Sequence, residues 1–164
     1  MILVALGGNL ASHAGTPTQT LDAALASLAR HGVKIISVSP YYVTPAWPDP
    51  ADPSFVNAVA QIDTILSPAE LLALLHQTET AFGRARSVRN APRTLDLDIL
   101  DYDNRVEQGA PDLPHPRLTE RSFVLVPLSD IAPDWRDPVS GRHIADLLAA
   151  LPEGERNLPR LAKR

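Results

Sequence analysis

The run Leu95-Asp96-Leu97-Asp98-Ile99 alternates apolar and acidic side chains without a break. In an extended strand successive side chains point to opposite faces, so the run predicts a strand with Leu95, Leu97 and Ile99 in a core and both carboxylates together on the other face. Adjacent carboxylates repel, and Asp is a poor strand former, so a positive charge is expected to offset the pair. A hard divalent cation suits it: Mg²⁺ takes carboxylate and water oxygens and commonly shares its octahedron with substrate phosphates. A solvated strand face with Arg93 as local counter-ion accounts for the same residues, and both readings stand at this point.

The rest of the composition narrows the partners. With 164 residues the chain is read as a single domain, 1–164, large enough to bury a real core. The absence of cysteine excludes a disulfide scaffold and thiolate metal sites. A net charge of -4 argues against bulk nucleic-acid binding. The chain opens directly on Ile2-Leu3-Val4-Ala5-Leu6, and no apolar run is long enough to span a bilayer, so a soluble, cytoplasmic protein is expected; a monomer is expected as well. Local charge differs from the average: Arg84, Arg86, Arg89 and Arg93 crowd together, and Arg117 and Arg121 follow. Lys34 and Lys163 are the only lysines. The basic chemistry is therefore guanidinium, the group that grips phosphate bidentately.

Strand and helix signals alternate along the chain. Met1 to Leu6 predicts a buried strand ending at Gly7-Gly8-Asn9, where a tight turn accounts for the glycines. Thr16-Pro17-Thr18-Gln19 and Ser67-Pro68-Ala69-Glu70 are capping boxes opening helices that run to Gly32 and Gly83. Between them lie β-rich runs, Val33 to Thr44 broken by Pro40, and Phe55 to Leu66. The aspartate strand follows, then an apolar run from Ser122 to Leu128 and an amphipathic helix from about His143 to Leu151. This β-α-β-β-α-β order predicts an α+β, ferredoxin-like sandwich with additional C-terminal helix elements. The proline-rich stretch Thr44 to Pro53 is a long loop carrying Trp47, a residue that either covers a ligand or folds back on the core.

Several standard machines are missing: there is no GxxxxGK[ST] loop, no HExxH and no GxSxG. An acidic pair beside an arginine cluster remains, the equipment of metal-assisted phosphoryl transfer.

Arg84-Ala85-Arg86, Pro92-Arg93-Thr94-Leu95-Asp96-Leu97-Asp98-Ile99, Leu113-Pro114-His115-Pro116-Arg117-Leu118 and Arg121-Ser122-Phe123-Val124-Leu125 together resemble 6-hydroxymethyl-7,8-dihydropterin pyrophosphokinases of folate biosynthesis. The likeness extends to Ala5-Leu6-Gly7-Gly8-Asn9-Leu10, Tyr42-Val43-Thr44-Pro45, Phe55-Val56-Asn57-Ala58 and Pro127-Leu128-Ser129-Asp130-Ile131-Ala132-Pro133. The resemblance implies transfer of a pyrophosphoryl group from ATP to the hydroxymethyl group of a reduced pterin, with AMP released and two Mg²⁺ ions held by Asp96 and Asp98. It further implies catalytic roles for Arg84, Arg93, Asp96 and Asp98. Glu79, Arg84, Arg86, Arg93, Ile99, His115 and Arg121 are implied around ATP, and Thr44, Pro45, Trp47, Phe55, Asn57 and Phe123 around the pterin. Phe55 and Phe123 offer flat faces to a heterocycle, and the Asn57 amide can both donate to and accept from its edge. Asn90 and Ala91 depart from the family's usual aromatic and glycine, and Pro116 from its usual aromatic after Pro-His. The connections Thr44 to Ser54 and Arg84 to Ala91 are expected to close over bound substrates. Ferredoxin-like domains also bind RNA, but two Trp, three Tyr, three Phe and an acidic net charge are poor equipment for that.

Overall fold

The computed structural model describes residues 1–85 and 90–162, so Arg86 and Arg89 of the arginine cluster lie outside the described residues. The elements are β1 (Ile2–Gly8), α1 (Pro17–Arg30), β2 (Lys34–Val38), β3 (Tyr42–Thr44), β4 (Phe55–Asp63), α2 (Pro68–Ala81), β5 (Asp96–Tyr102), α3 (Ser122–Ile131) and α4 (Ile144–Ala150). Both capping boxes form. Thr16 and Ser67 accept from the backbone amides of Gln19 and Glu70, whose side chains reach back to the cap amides, and Pro17 and Pro68 occupy the first turn. These contacts satisfy helix-end donors that would otherwise be orphaned.

The strands form one five-stranded sheet in the order β2-β4-β1-β5, with β3 also on β4, and every pairing is antiparallel. β1 occupies one edge of β4, so β2 and β3 share the other as two pieces of one interrupted strand. Alternation divides the apolar residues between two cores. Ile2, Val4, Leu6, Leu95, Leu97 and Ile99 meet Leu21, Leu28, Leu71 and Leu75 of α1 and α2. Leu3, Val59 and Leu100 meet Val124, Leu125, Leu128, Ile144 and Leu147 of α3 and α4. Asp96 and Asp98 share the face of Leu100, as the alternation predicts. A bulge at Leu100 shifts the register from Val4↔Ile99 to Leu3↔Asp101. It turns Asp101 inward, fully buried, where it accepts from Trp135 Nε1 at 2.8 Å.

The apolar run at Ser122 is helical. Val124, Leu125 and Leu128 recur at helical spacing and bury one face of α3 against β4. Beyond α4 the chain returns to the sheet, with Val43 N donating to Pro159 O (2.9 Å) and Leu161 N to Tyr41 O (2.8 Å) along the free edge of β3. Among the described residues, no helix is long and apolar enough to cross a membrane.

Candidate active site

Three neighbouring strands present one row of residues on the α3 side of the sheet. Gly7 of β1 pairs with Asn57 of β4 and with Asp96 of β5, while Ala5 pairs with Asp98. The small residues on β1 leave a groove between the amide on one side and the carboxylates on the other. Neither glycine serves a turn, since both lie within β1. At Gly8 an added Cβ would stand 2.5 Å from the Thr94 carbonyl oxygen, so a side chain there would collide with the backbone that leads into β5.

Asp96 sits in a web of cations. Arg84 Nη1 donates to Asp96 Oδ1 at 2.6 Å and to Glu79 Oε1 at 2.5 Å, and Arg93 Nη1 donates to Asp96 Oδ2 at 3.1 Å. Glu79, buried on α2, also accepts from Leu97 N of β5 at 2.8 Å, fixing the strand that carries the aspartates. Burial is the largest influence on Glu79 and pushes its carboxyl above the usual range, against the pull of the Leu97 amide and Arg84. Burial, and then the charge of Asp96, likewise push Asp98 upward. His115 Nε2 lies 3.9 Å from Asp98 Oδ2. Its Nδ1 accepts from Arg117 N at 3.1 Å, which leaves Nε2 to carry the proton of the neutral ring. Burial lowers the His115 pKa, favouring that neutral form.

A cation would relieve both pressures on Asp98. No group of three or more His, Cys, Asp or Glu is arranged to hold a metal by itself among the described residues. Two carboxylates on one face suit an ion that is completed by substrate phosphates rather than by a protein cage. For Asp96 to ligate such an ion, at least one guanidinium must yield its oxygen. The strand-face counter-ion expected at Arg93 is present, and Arg84 joins it.

On the other side of Gly7, Asn57 Nδ2 donates to Thr44 Oγ1 at 2.8 Å, and Phe55 pairs with Thr44. The bond fixes the amide orientation and leaves Oδ1 directed toward Gly7, where an added Cβ would lie 3.0 Å away. Phe123 stands in the first turn of α3 with the Arg121 guanidinium over its ring at 5.5 Å. Pro45 is exposed, and Trp47 is 72% exposed, so the tryptophan is not folded back on the core. Ile99 is a core residue on the opposite face, where only its main chain is available to a nucleotide.

The family model described as 7,8-dihydro-6-hydroxymethylpterin-pyrophosphokinase matches residues 3–133. The chain belongs to that pyrophosphokinase family. It is 43% identical over 161 residues to the Pseudomonas aeruginosa 2-amino-4-hydroxy-6-hydroxymethyldihydropteridine pyrophosphokinase, covering 96% of each chain. A Synechocystis relative of the same description is 42% identical over 148 residues, covering 89% of this chain and 73% of its own. In fold, the chain is similar to the crystal structure of Plasmodium falciparum HPPK-DHPS with pteroate, at a TM-score of 0.62 and 13% identity. That alignment covers 89% of this chain and 43% of the longer one.

Asn9 is a connecting residue that the sequence reading of this pyrophosphokinase did not single out. It is buried, and its Oδ1 accepts from Arg93 N at 2.8 Å while its Nδ2 donates to Pro53 O at 2.9 Å. Arg93 O in turn accepts from Asn9 N at 2.9 Å and Leu10 N at 3.1 Å. One side chain thus joins the end of β1, the proline-rich loop and the approach to β5. Its only sequence signal was a polar residue directly after two strand glycines.

Proposed function

We propose that the two sides of the Gly7 groove are the two substrate sites of one transfer reaction. The chain transfers pyrophosphate from ATP to the hydroxymethyl group of 6-hydroxymethyl-7,8-dihydropterin, a step of folate biosynthesis. On this reading the pterin lies toward Thr44, Phe55, Asn57 and Phe123, with Pro45 and Trp47 at its rim. ATP lies toward Glu79, Arg84, Arg93, His115 and Arg121, with Arg86 as a further nucleotide ligand. The fold that carries the sites is read as ferredoxin-like, supported by the antiparallel order β2-β4-β1-β5 and the placing of α1 and α2 on one face.

The carrying observation is the register Asn57–Gly7–Asp96, which sets an amide suited to a heterocycle edge and a carboxylate suited to a metal-bound phosphate across a single glycine. The acceptor oxygen bonds to the β-phosphorus in line as the bond from that phosphorus to the α–β bridging oxygen breaks, AMP leaves, and the hydroxyl proton passes to solvent. The protein supplies position and fixed charge; among the described residues of the site, none is placed as a covalent nucleophile. Arg84 and Arg93 exchange Asp96 for phosphate oxygens, the neutral His115 offers its Nε2 proton to the same chain of oxygens, and Glu79 holds Arg84 and β5 in place. Asp96 and Asp98 would hold two Mg²⁺ ions, which would supply positive charge against the charge that develops on the phosphates.

Product analysis with ATP, Mg²⁺ and the reduced pterin tests the reaction. AMP and the pterin diphosphate in equal amounts are expected, and ADP or a phosphorylated enzyme would overturn the reading.

A further inference from the structure

The free edge of β3, directly behind the proposed pterin wall, is closed by a segment 160 residues into the chain. Tyr42 is the register partner of Asn57 and points to the same face of the sheet. Its ring is buried, and its hydroxyl donates to Asp130 Oδ2 at 2.5 Å, near the C-terminal end of α3. Arg160 Nε donates to the same hydroxyl at 2.7 Å, and its Nη2 donates to Asp130 Oδ1 at 2.7 Å. The guanidinium also lies over the Tyr42 ring, 5.4 Å from its centroid. Three side chains therefore close one ring of hydrogen bonds joining β3, α3 and the C-terminal segment. An arginine near a helix C-terminus is also favoured by the helix dipole.

These elements carry the two walls of the acceptor site. β3 bears Thr44, which orients Asn57; α3 bears Phe123. The main-chain bonds from Val43 to Pro159 and from Leu161 to Tyr41 align the segment on β3, so Arg160 is delivered to the gap between strand and helix. We propose that Arg160 is a positioning residue for the pterin: through Tyr42 and Asp130 it sets the distance between the Thr44–Asn57 wall and the Phe123 wall. It touches neither substrate. This inference rests on the placing of the pterin beside Asn57.

The pair of variants Arg160→Ala and Asn57→Ala separates the two ideas. The Arg160 side chain is 60% exposed, so its removal leaves the cores intact. In Arg160→Ala the KM for the pterin is expected to rise roughly three- to tenfold, with kcat and the KM for ATP within about twofold of the parent. Arg160→Lys keeps the charge but loses the fork, and restores part of the loss. A pterin KM unchanged in Arg160→Ala but raised in Asn57→Ala would overturn the positioning role alone. No change in either variant would overturn the pterin placement and the positioning role with it. A uniform loss of kcat and of both KM values would also overturn the proposal, because it would mark the cluster as a general support of the fold.

Discussion

Gly7 stands in register with Asn57, and a single added carbon on it would come within 3.0 Å of the Asn57 carboxamide oxygen. Since Asn57 is held from behind by Thr44, it has little room to retreat. Gly7→Ala is therefore expected to raise the KM for the pterin by about tenfold or more while costing roughly 1–3 kcal/mol of stability through overpacking. Steady-state kinetics beside urea unfolding measure both. An unchanged KM would remove Gly7 from the floor of the groove.

Asp96→Asn and Asp98→Asn remove charge at nearly constant size. Each is expected to lower turnover by at least roughly a hundredfold while the fold survives, because the substitution also relieves the repulsion between the two carboxylates. Chelation of Mg²⁺ is expected to abolish turnover in the parent. Asp63→Asn, at the far end of β4, is the control and is expected to keep full activity. Equal activities of Asp96→Asn and Asp63→Asn at saturating Mg²⁺ would restore the simple strand-face reading.

Arg84 and Arg93 are expected to part company in stability while agreeing in kinetics. Both alanine variants should lose turnover more than ATP affinity, since in the proposed site the charge they deliver acts on the reacting phosphates. Arg84→Ala additionally takes one cation from Glu79, which is buried, whereas Arg93→Ala leaves Asp96 with Arg84. A stability loss of about 1–3 kcal/mol is expected for Arg84→Ala at neutral pH. Glu79 is already shifted upward by burial, and losing Arg84 shifts it further, so folding disfavours its charged form more strongly than in the parent. The variant should regain stability as pH falls through the folded pKa and lose it as pH rises through that value. Denaturation midpoints at pH 5 and pH 8 check the sign.

Tyr42 provides an alkaline test. Burial first, and Asp130 second, push its phenol up to about 12 from the ordinary value of 10.0. A group with a raised folded pKa contributes stability that is complete below pH 10 and is lost as pH rises through 12. The parent is therefore expected to lose on the order of 1–3 kcal/mol more than Tyr42→Phe across that window. Parallel unfolding curves would show that the phenol is not held in the ring with Asp130 and Arg160.

The parts legible in the sequence were those governed by local rules. Thr16 and Ser67 announced their helices because capping is decided within four residues, and the Asp96/Asp98 face followed from alternation alone. Arg84, His115, Glu79 and Asp98 were all reached through a family pattern, yet their pairing was not, because Asp96 and Asp98 on β5 meet Arg84 and His115 only once the chain has folded. Asn9 was passed over for the same reason: its partners Pro53 and Arg93 lie far away in the chain. Ile99 shows the opposite limit. The resemblance implies it for ATP, but the same alternation that sets the aspartates on one face turns its side chain into the far core. The helical state of Ser122–Leu128 depended on burial against β4, which β-branched residues in a short run do not reveal.

β1 has both of its edges taken, by β4 on one side and β5 on the other. It is synthesised before either partner, and β5 begins about 90 residues later, an interval of roughly 5–20 s at ordinary ribosomal rates. Until β4 follows about 50 residues later, Ile2-Leu3-Val4-Ala5-Leu6 is an apolar segment with no strand to pair with, and until β5 follows the groove around Gly7 lacks its acidic wall. The early hazard for this chain is therefore mispairing of its central strand with another nascent chain, and the first half of the sequence alone should form inclusion bodies where the full chain does not.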